Sequence, residues 1–365
     1  MKFLRIASCL VLFVAGFSPA LAADRLSPSV RALVSADEPL KVAVDRGFAV
    51  RDGRVQVVVL ATQAGVEHVE RWLTDRGARF VFAYGDRIQA FVPPDLVAEL
   101  EGRADVLEVE RPLYARPPEP VPPAAAARPK LLAVTSEGVE PINVPAWHAE
   151  GFAGEGLKIG VIDVEFGGWD DLLGVELPPA GRTTYRAFGG SSAAADQVHG
   201  TACAEIVHDV APDADLFLAH IRTLGDFYAS LDWMATEGVD VVTMSVGWFG
   251  AGPGDGTGNS ADRVNAFVAA ADALFFTSAG NERRSHWQGA SADADADGWV
   301  DFEPGDNLNE LVSTMAADDR VAVSMVWSDW DSPSSDYSLH LFRLDGTEWV
   351  EVAVSDRPQT GLSHQ

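Results

Sequence analysis

Continuous apolar stretches alternate with helical patterns between residues 131 and 283, and this alternation constrains the fold more than any other feature of the chain. We predict strands over 157–162, 214–221, 240–246 and 274–278, and helices over 201–210, 224–237 and 261–271. Apolar strands separated by helices are typical of a parallel sheet that is covered on both faces. In such sheets, functional side chains lie beyond the carboxyl ends of the strands.

The first 22 residues have the features of a secretory signal peptide. Lys2 and Arg5 give a positive start, an apolar run covers 6–17, and residues 20–22 offer a small–x–small cleavage site. The run is too short to span a bilayer, and no later stretch reaches that length. Cys9 suggests a lipid-attachment box, but it lies inside the apolar run rather than after it. We therefore expect export to the extracellular space or the periplasm, with no membrane span.

Residues 23–115 predict a small α+β unit. We expect strands over 55–61, within 79–92 (two, around the turn at 85–86) and over 106–110, with helices over 66–76 and 94–103. The order strand–helix–strand–strand–helix–strand is that of a ferredoxin-like sandwich. Residues 116–130 hold six prolines and four consecutive alanines, which is typical of an extended linker that a protease can cut.

Charge and cysteine content exclude several kinds of partner. The formal net charge is −27, from 54 acidic against 27 basic residues, so phosphate backbones and anionic membranes are repelled and no nucleic-acid partner is expected. Without the signal peptide, Cys203 is the one remaining cysteine. It can form no internal disulfide, and no zinc site built on several cysteines is available.

The alternation stops after Asn281, and residues 284–365 predict a different kind of structure. Residues 284–317 are polar and rich in Asp and Gly. Apolar runs over 321–327, 337–343 and 349–354 predict strands of an all-β insertion.

Four short segments hold the candidate chemistry. Asp163 ends a predicted strand, His199 opens a helix, Ser245-Val246-Gly247 leaves a strand, and Asn281 follows the last strand. Each has a structural interpretation by itself: a cap, a core strand or a turn. Together they are what acyl transfer needs. A histidine acts as base, an aspartate fixes its tautomer, and an asparagine donates to the oxyanion.

These segments resemble those of the subtilisin-like serine proteases. Gly160-Val161-Ile162-Asp163 is similar to the aspartate motif of that family, and His199-Gly200-Thr201 is similar to its histidine motif. Residues 245–247 resemble the strand that pairs with the substrate backbone, and Asn281 resembles the oxyanion asparagine. The resemblance covers roughly residues 131–283.

The resemblance implies an α/β catalytic domain over 131–283 that is incomplete, with a subtilisin-like parallel sheet and helices on both faces. It implies polypeptide substrates and catalysis that needs no cofactor. It also implies that residues 23–115 are a propeptide, which assists folding and inhibits the enzyme inside the same molecule until it is cleaved. The all-β insertion over 284–365 resembles insertions that some relatives carry between the asparagine and the serine.

The sequence departs from the family in two places. Val164-Glu165-Phe166 stands before Gly167, where the family commonly has a glycine soon after the aspartate. The Gly-Thr-Ser-x-Ala motif of the nucleophile does not occur in the 365 residues. We expect a sequence that ends before the catalytic serine, so that this chain alone is nearly inert. The alternative is a serine-less relative that binds peptides or a partner protein through the same cleft.

Two other hydrolase interpretations are weaker. Ser245 suggests a nucleophile elbow, but that turn needs glycine two residues earlier, where Thr243 stands. A metal-dependent hydrolase would use Asp163, His199 and His208. The two histidines are nine residues apart, so they do not share one face of a helix well.

A calcium loop is the last candidate site. Asp293, Asp295, Asp297 and Asp301, with Gly298 between the last two, have the spacing of a calcium-binding loop. Position twelve of the loop is Pro304 rather than glutamate, and no flanking helices are predicted. Three carboxylates two residues apart repel one another unless a cation joins them. The alternative is a solvated acidic loop with no ion.

Overall fold

The structure is a computed structural model that describes residues 9–13, 25–115, 134–190, 197–281, 286–311, 321, 323–330, 335, 337–345 and 347–355. The chain divides into two compact units. One unit comprises Ala22–Trp248 and Arg263–Asn281, and the other comprises Met1–Leu21, Phe249–Asp262 and Glu282–Gln365. The predicted linker at 116–130 lies outside the described residues.

The helices and strands are numbered in the order in which they occur along the chain. They are β1 (Cys9–Phe13), α1 (Pro28–Val34), α2 (Pro39–Asp45), β2 (Val50–Arg51), β3 (Arg54–Ala61), α3 (Val66–Asp75), β4 (Arg79–Tyr84), β5 (Arg87–Val92), α4 (Pro94–Leu100), β6 (Val106–Glu110), α5 (Val144–Ala149), β7 (Lys158–Asp163), β8 (Thr183–Ala187), α6 (His199–Val210), β9 (Asp215–His220), α7 (Leu224–Glu237), β10 (Val241–Met244), α8 (Asn259–Ala271), β11 (Leu274–Thr277), β12 (Tyr337–Asp345) and β13 (Glu348–Ser355).

Residues 25–115 form the predicted ferredoxin-like sandwich. Its antiparallel sheet has the order β6-β3-β5-β4, and the short β2 extends the pairing of β3. Helix α3 turns Val69 and Leu73 into the core, where both side chains are fully buried. Two short helices, α1 and α2, were not predicted, although each begins with a proline at its first turn.

The second sheet of this unit is parallel and has the order β11-β10-β7-β9-β8. Successive residues of β9 face opposite sides. Phe217 and Ala219 pack in the core that includes α7, while Leu216 and Leu218 pack in the core that includes α6. Because buried side chains point both ways, the strand is apolar throughout, and the predicted α/β class with helices on both faces is confirmed.

Two details of this sheet differ from the prediction. Strand β8 was not predicted, because its sequence is half polar and most of its residues are partly or fully exposed. In β11, Leu274 and Phe276 are 57% and 58% exposed, so this strand is not buried on both faces. Among the described residues, β11 is an edge strand that pairs with β10 alone.

The other unit contains an antiparallel sheet of order β1-β12-β13. Strands β12 and β13 confirm two predicted strands, but the strand predicted over 321–327 is wrong, since residues 323–327 have no strand geometry. Strand β1 lies within the segment interpreted as a signal peptide, and it pairs with β12 from Cys9 opposite Leu341 to Phe13 opposite Tyr337. Within the described part of the chain, no helix has the length and apolar character needed to cross a bilayer.

Candidate active site

Asp163 and His199 are in direct contact. Asp163 is the last residue of β7, and His199 is the first residue of α6. Nδ1 of His199 donates a hydrogen bond to Oδ2 of Asp163 over 2.8 Å, because a carboxylate can only accept. The Asp163 side chain is completely buried, and that of His199 is 16% exposed. The aspartate is therefore hidden behind a histidine whose ring still reaches solvent.

Backbone contacts hold the two elements together. The other oxygen of Asp163, Oδ1, accepts the N–H groups of Val164 and Glu165 at 2.7 and 3.2 Å. The carbonyl of Glu165 in turn accepts the N–H of Gly200 at 2.7 Å. The segment between Asp163 and Gly167 therefore connects the end of β7 to the start of α6 through backbone hydrogen bonds.

Gly200 permits the close approach of these elements. A Cβ at this position would lie 2.5 Å from the Cβ of Asp163 and 2.9 Å from the carbonyl oxygen of Glu165. Such distances are not tolerated, so any larger residue would push the aspartate away from the histidine. The requirement for glycine in the His199-Gly200-Thr201 motif is therefore steric in this chain.

The hydrogen bond to the Asp163 carboxylate raises the pKa of His199 above its ordinary value, while partial burial acts in the opposite direction. The negative charges of Asp163 and Glu165 add to the rise. The carboxylate therefore stabilises the imidazolium form. Since Nδ1 is engaged with Asp163, Nε2 is the nitrogen that remains to accept a proton from another group.

Cys203 is a neighbour that the sequence analysis did not single out. It lies four residues after His199 on α6, and ligand atoms of Asp163, His199 and Cys203 are all within 4.8 Å of one another. Burial raises the pKa of its thiol to about 11, although a hydrogen bond with Ser245 acts in the opposite direction. The i, i+4 spacing on one helix face was the signal in the sequence that could have placed it here.

The other predicted residues lie at the same edge of the parallel sheet. Ser245, Val246 and Gly247 directly follow β10, and Asn281 follows β11. Strands β11, β10 and β7 are consecutive in the sheet and parallel, so their carboxyl ends share one edge. The side chain of Ser245 is near enough to lower the pKa of the Cys203 thiol, Val246 is buried, and Asn281 is exposed.

His208 does not join this group. Among the described residues, the metal-capable cluster at this edge consists of Asp163, His199 and Cys203. His208 is nine positions after His199 on α6, and its pKa is lowered, by burial first and by Arg182 second. The ligand set Asp163, His199 and His208 is therefore not assembled. The predicted calcium residues, Asp293 to Asp301, lie in the other unit.

Residues 25–115 are attached to the parallel-sheet part of the same unit by strand-like pairing. The N–H of Ala115 donates to the carbonyl of Arg222 at 2.7 Å, and the N–H of Leu224 donates to that of Leu113 at 3.1 Å. Tyr114 thus forms an antiparallel bridge with Thr223. The chain leaves the ferredoxin-like sandwich next to the segment between β9 and α7.

Side chains add to this attachment. Nε2 of Gln89 donates to Oδ1 of Asp226 over 2.9 Å, and both residues are buried. Asp226 also forms a capping box with Thr223 at the start of α7. The ring of Tyr84 meets that of Tyr228 edge to face, with centroids 5.3 Å apart. The attachment therefore buries a carboxylate, aromatic surface and backbone hydrogen bonds.

An Asp–His pair at the carboxyl edge of a parallel α/β sheet is an arrangement that can act as an acid–base pair towards a nucleophile. The model of the subtilase family matches residues 154–355, which is more than half of the chain. The chain therefore belongs to the subtilase family, which is a family of serine proteases.

Similarity to solved structures and to curated proteins assigns no residue role in this chain. A similar solved structure is the epidermin leader peptide processing serine protease EpiP, as its S393A mutant, from Staphylococcus aureus. It is 12% identical, with a TM-score of 0.35, and the match covers 60% of this chain and 59% of that chain. This chain thus spans about three-fifths of that protein, and no residue role is transferred from it. No curated protein matches the chain.

Proposed function

We propose that this chain belongs to the precursor of a secreted serine endopeptidase in which Asp163 and His199 are the acid–base pair. The observation that carries the proposal is the 2.8 Å hydrogen bond between Nδ1 of His199 and the buried carboxylate of Asp163, inside the segment that matches the subtilase family. The partly exposed histidine ring is compatible with a role as general base towards a group in the cleft.

Nε2 of His199 takes the proton of a serine hydroxyl as the serine oxygen attacks the carbonyl carbon of the peptide bond. The imidazolium that forms is stabilised by the Asp163 carboxylate, and the Asn281 amide donates to the oxyanion. His199 then passes the proton to the leaving amine, and water hydrolyses the acyl-enzyme by the same route. The substrate backbone pairs as a strand with residues 245–247.

The Gly-Thr-Ser-x-Ala motif, which would supply the serine nucleophile of this mechanism, does not occur in the 365 residues. Ser245 is a poor substitute, since it follows a strand without the glycine of a nucleophile elbow. Cys203 is no better, because a thiol pKa of about 11 leaves almost no thiolate at neutral pH.

Residues 1–22 are proposed as a secretion signal and residues 23–115 as an intramolecular propeptide. The attachment through Tyr114, Gln89 and Tyr84 supports the second assignment, since it brings the end of the sandwich to the segment that precedes α7. Cleavage in 116–130 would break the covalent link, and non-covalent contacts would then hold the propeptide.

The test is to express the complete product of the locus and to measure hydrolysis of a casein substrate. His199→Ala is expected to lower kcat by about 10⁶-fold, the loss seen in subtilisin itself, which belongs to this family. His208→Ala, on the same helix but outside the site, is the matched control and should retain activity. Full activity of the His199→Ala protein would overturn the proposal.

The absent serine motif favours one alternative, a non-catalytic relative that binds peptides or a partner protein through the same cleft. The locus sequence downstream of Gln365 separates the two. A Gly-Thr-Ser-x-Ala segment in frame supports the protease. A stop codon there, together with saturable peptide binding that Ser245→Pro abolishes, supports the binding protein.

A further inference from the structure

Three carboxylates converge in the loop that begins at Asp293. Oxygen atoms of Asp293, Asp295 and Asp297 all lie within 4.8 Å of one another, although the three side chains are exposed. Two oxygens on opposite sides of one Ca²⁺ are separated by about 5 Å, since each Ca–O bond is 2.3–2.6 Å long. The three side chains are therefore already at the separation that one shared calcium ion requires.

A buried fourth carboxylate is hydrogen-bonded to the backbone of the same loop. Asp301 is only 9% exposed, and its Oδ2 accepts the N–H of Ala294 at 2.9 Å. Its other oxygen, Oδ1, is buried and accepts no hydrogen bond from any described residue. A buried carboxylate oxygen without a donor is costly unless a cation compensates it. This oxygen is separate from the exposed cluster, and it leaves a buried negative charge uncompensated beside the loop.

The backbone has the turn that such a loop needs. Gly298 has φ +92°, in the region that favours glycine, and it occupies the sixth position counted from Asp293. The N–H groups of Asp297 and Gly298 both donate to Asp293, at 3.1 and 3.0 Å, which folds the loop around its first carboxylate. Trp299 occupies position seven, which supplies a backbone carbonyl ligand in loops of this kind.

We propose that residues 293–301 bind one Ca²⁺ through the carboxylates of Asp293, Asp295 and Asp297, with Asp301 at position nine of the loop as a further ligand, directly or through a water. The site lies in the unit that does not contain Asp163 and His199, so it does not depend on the proposed protease function. Pro304 cannot supply the bidentate carboxylate of position twelve. We therefore expect the weak affinity of extracellular calcium modules, with a Kd of about 10⁻⁴–10⁻³ M.

Calorimetric titration of the chelator-treated full chain with CaCl₂ tests the site. We expect saturable binding of one ion, weakened at least tenfold in Asp295→Asn and in Asp301→Asn. Glu310→Gln removes an equal charge from an exposed position outside the loop and should bind as the parent does. Saturable binding that both aspartate variants retain, or no binding at millimolar Ca²⁺, would overturn the proposal.

Two further measurements distinguish a loss of calcium binding from a failure of the variants to fold. Trp299 should sensitise Tb³⁺ luminescence, and Trp299→Phe should lose most of that signal while its calorimetric Ca²⁺ affinity stays within twofold. Ca²⁺ should raise the Tm of the parent but not that of Asp295→Asn, whose Tm without Ca²⁺ should equal or exceed that of the parent because repulsion is relieved. Equal affinity for Mg²⁺ would contradict the assignment to calcium.

Discussion

Gly200 lies against the side chain of Asp163, so closely that a Cβ at position 200 would be 2.5 Å from the Cβ of the aspartate. Gly200→Ala should therefore displace Asp163 from His199. We expect the unfolding free energy to fall by about 1–3 kcal/mol, the usual cost of overpacking a filled site. We also expect the downfield Nδ1 proton resonance of His199 to disappear.

Gly181→Ala is the matched control, because a Cβ there meets nothing within 4 Å. It should leave both the stability and the His199 resonance unchanged. A Gly200→Ala protein with parental stability and an intact resonance would show that the approach of β7 and α6 is looser than the structure has it.

This steric relationship also shows what the sequence could and could not predict. The spacing of apolar residues predicted α7 at its observed bounds and most of the strands within a few residues. The order of the motifs predicted that Asp163 and His199 meet, since strand ends and helix starts share one edge of a parallel sheet. These features depend on local periodicity and on general rules of topology.

Other features depend on tertiary contacts that no local pattern encodes. Strand β8 is half polar, so its sequence does not have the apolar pattern of a buried strand. It is a strand because it pairs with β9, and its own sequence does not predict that pairing. The proximity of Cys203 to Asp163 and His199 joins a helix to the end of a distant strand. The pairing of Leu113 and Ala115 with the segment before α7 likewise has no signature in either segment alone.

The pKa values of the two histidines of α6 should be shifted in opposite directions. The pKa of His199 is raised by its bond to Asp163, and that of His208 is lowered by burial. An NMR titration should therefore place His199 above, and His208 below, the ordinary value of about 6.5. Asp163→Asn should lower the His199 value and leave that of His208 unchanged. Equal titration of both rings would contradict the assigned contact.

The same shift makes stability depend on pH. A histidine whose folded-state pKa is raised binds more protons when folded. Its contribution is complete below the unfolded pKa of about 6.5 and is lost as pH rises through the folded value. The loss of unfolding free energy in Asp163→Asn should therefore be larger near pH 6 than near pH 9. Urea unfolding at both pH values measures the difference, and a larger loss at the higher pH would contradict it.

The thiol of Cys203 should react slowly. Its pKa of about 11 leaves roughly one thiolate in a thousand at pH 8. In a Cys9→Ser background, iodoacetamide should modify the folded chain more than about a hundredfold more slowly than the urea-unfolded chain. The folded rate should keep rising above pH 9. A plateau near the ordinary thiol value of about 8.5 would show that the thiol is not buried beside Asp163.

Gln89 should hold the ferredoxin-like sandwich in place through Asp226. The Asp226 carboxylate is buried, and its pKa is raised by that burial, so the loss of a donor is costly. After a cut introduced within 116–130, we expect Gln89→Leu to weaken the association of the two parts by about 10–100-fold, which corresponds to one hydrogen bond to a charged group.

Surface plasmon resonance between the separated parts measures this loss. Gln63→Leu, at an exposed position of the same sandwich, is the matched control and should bind as the parent does. Asp226→Asn keeps the size of the side chain and removes its buried charge. In the Asp226→Asn background, Gln89→Leu should therefore weaken the association less, because the side chain of residue 226 that is left without a donor is then neutral. Equal effects of Gln89→Leu in both backgrounds would show that its contribution does not pass through Asp226.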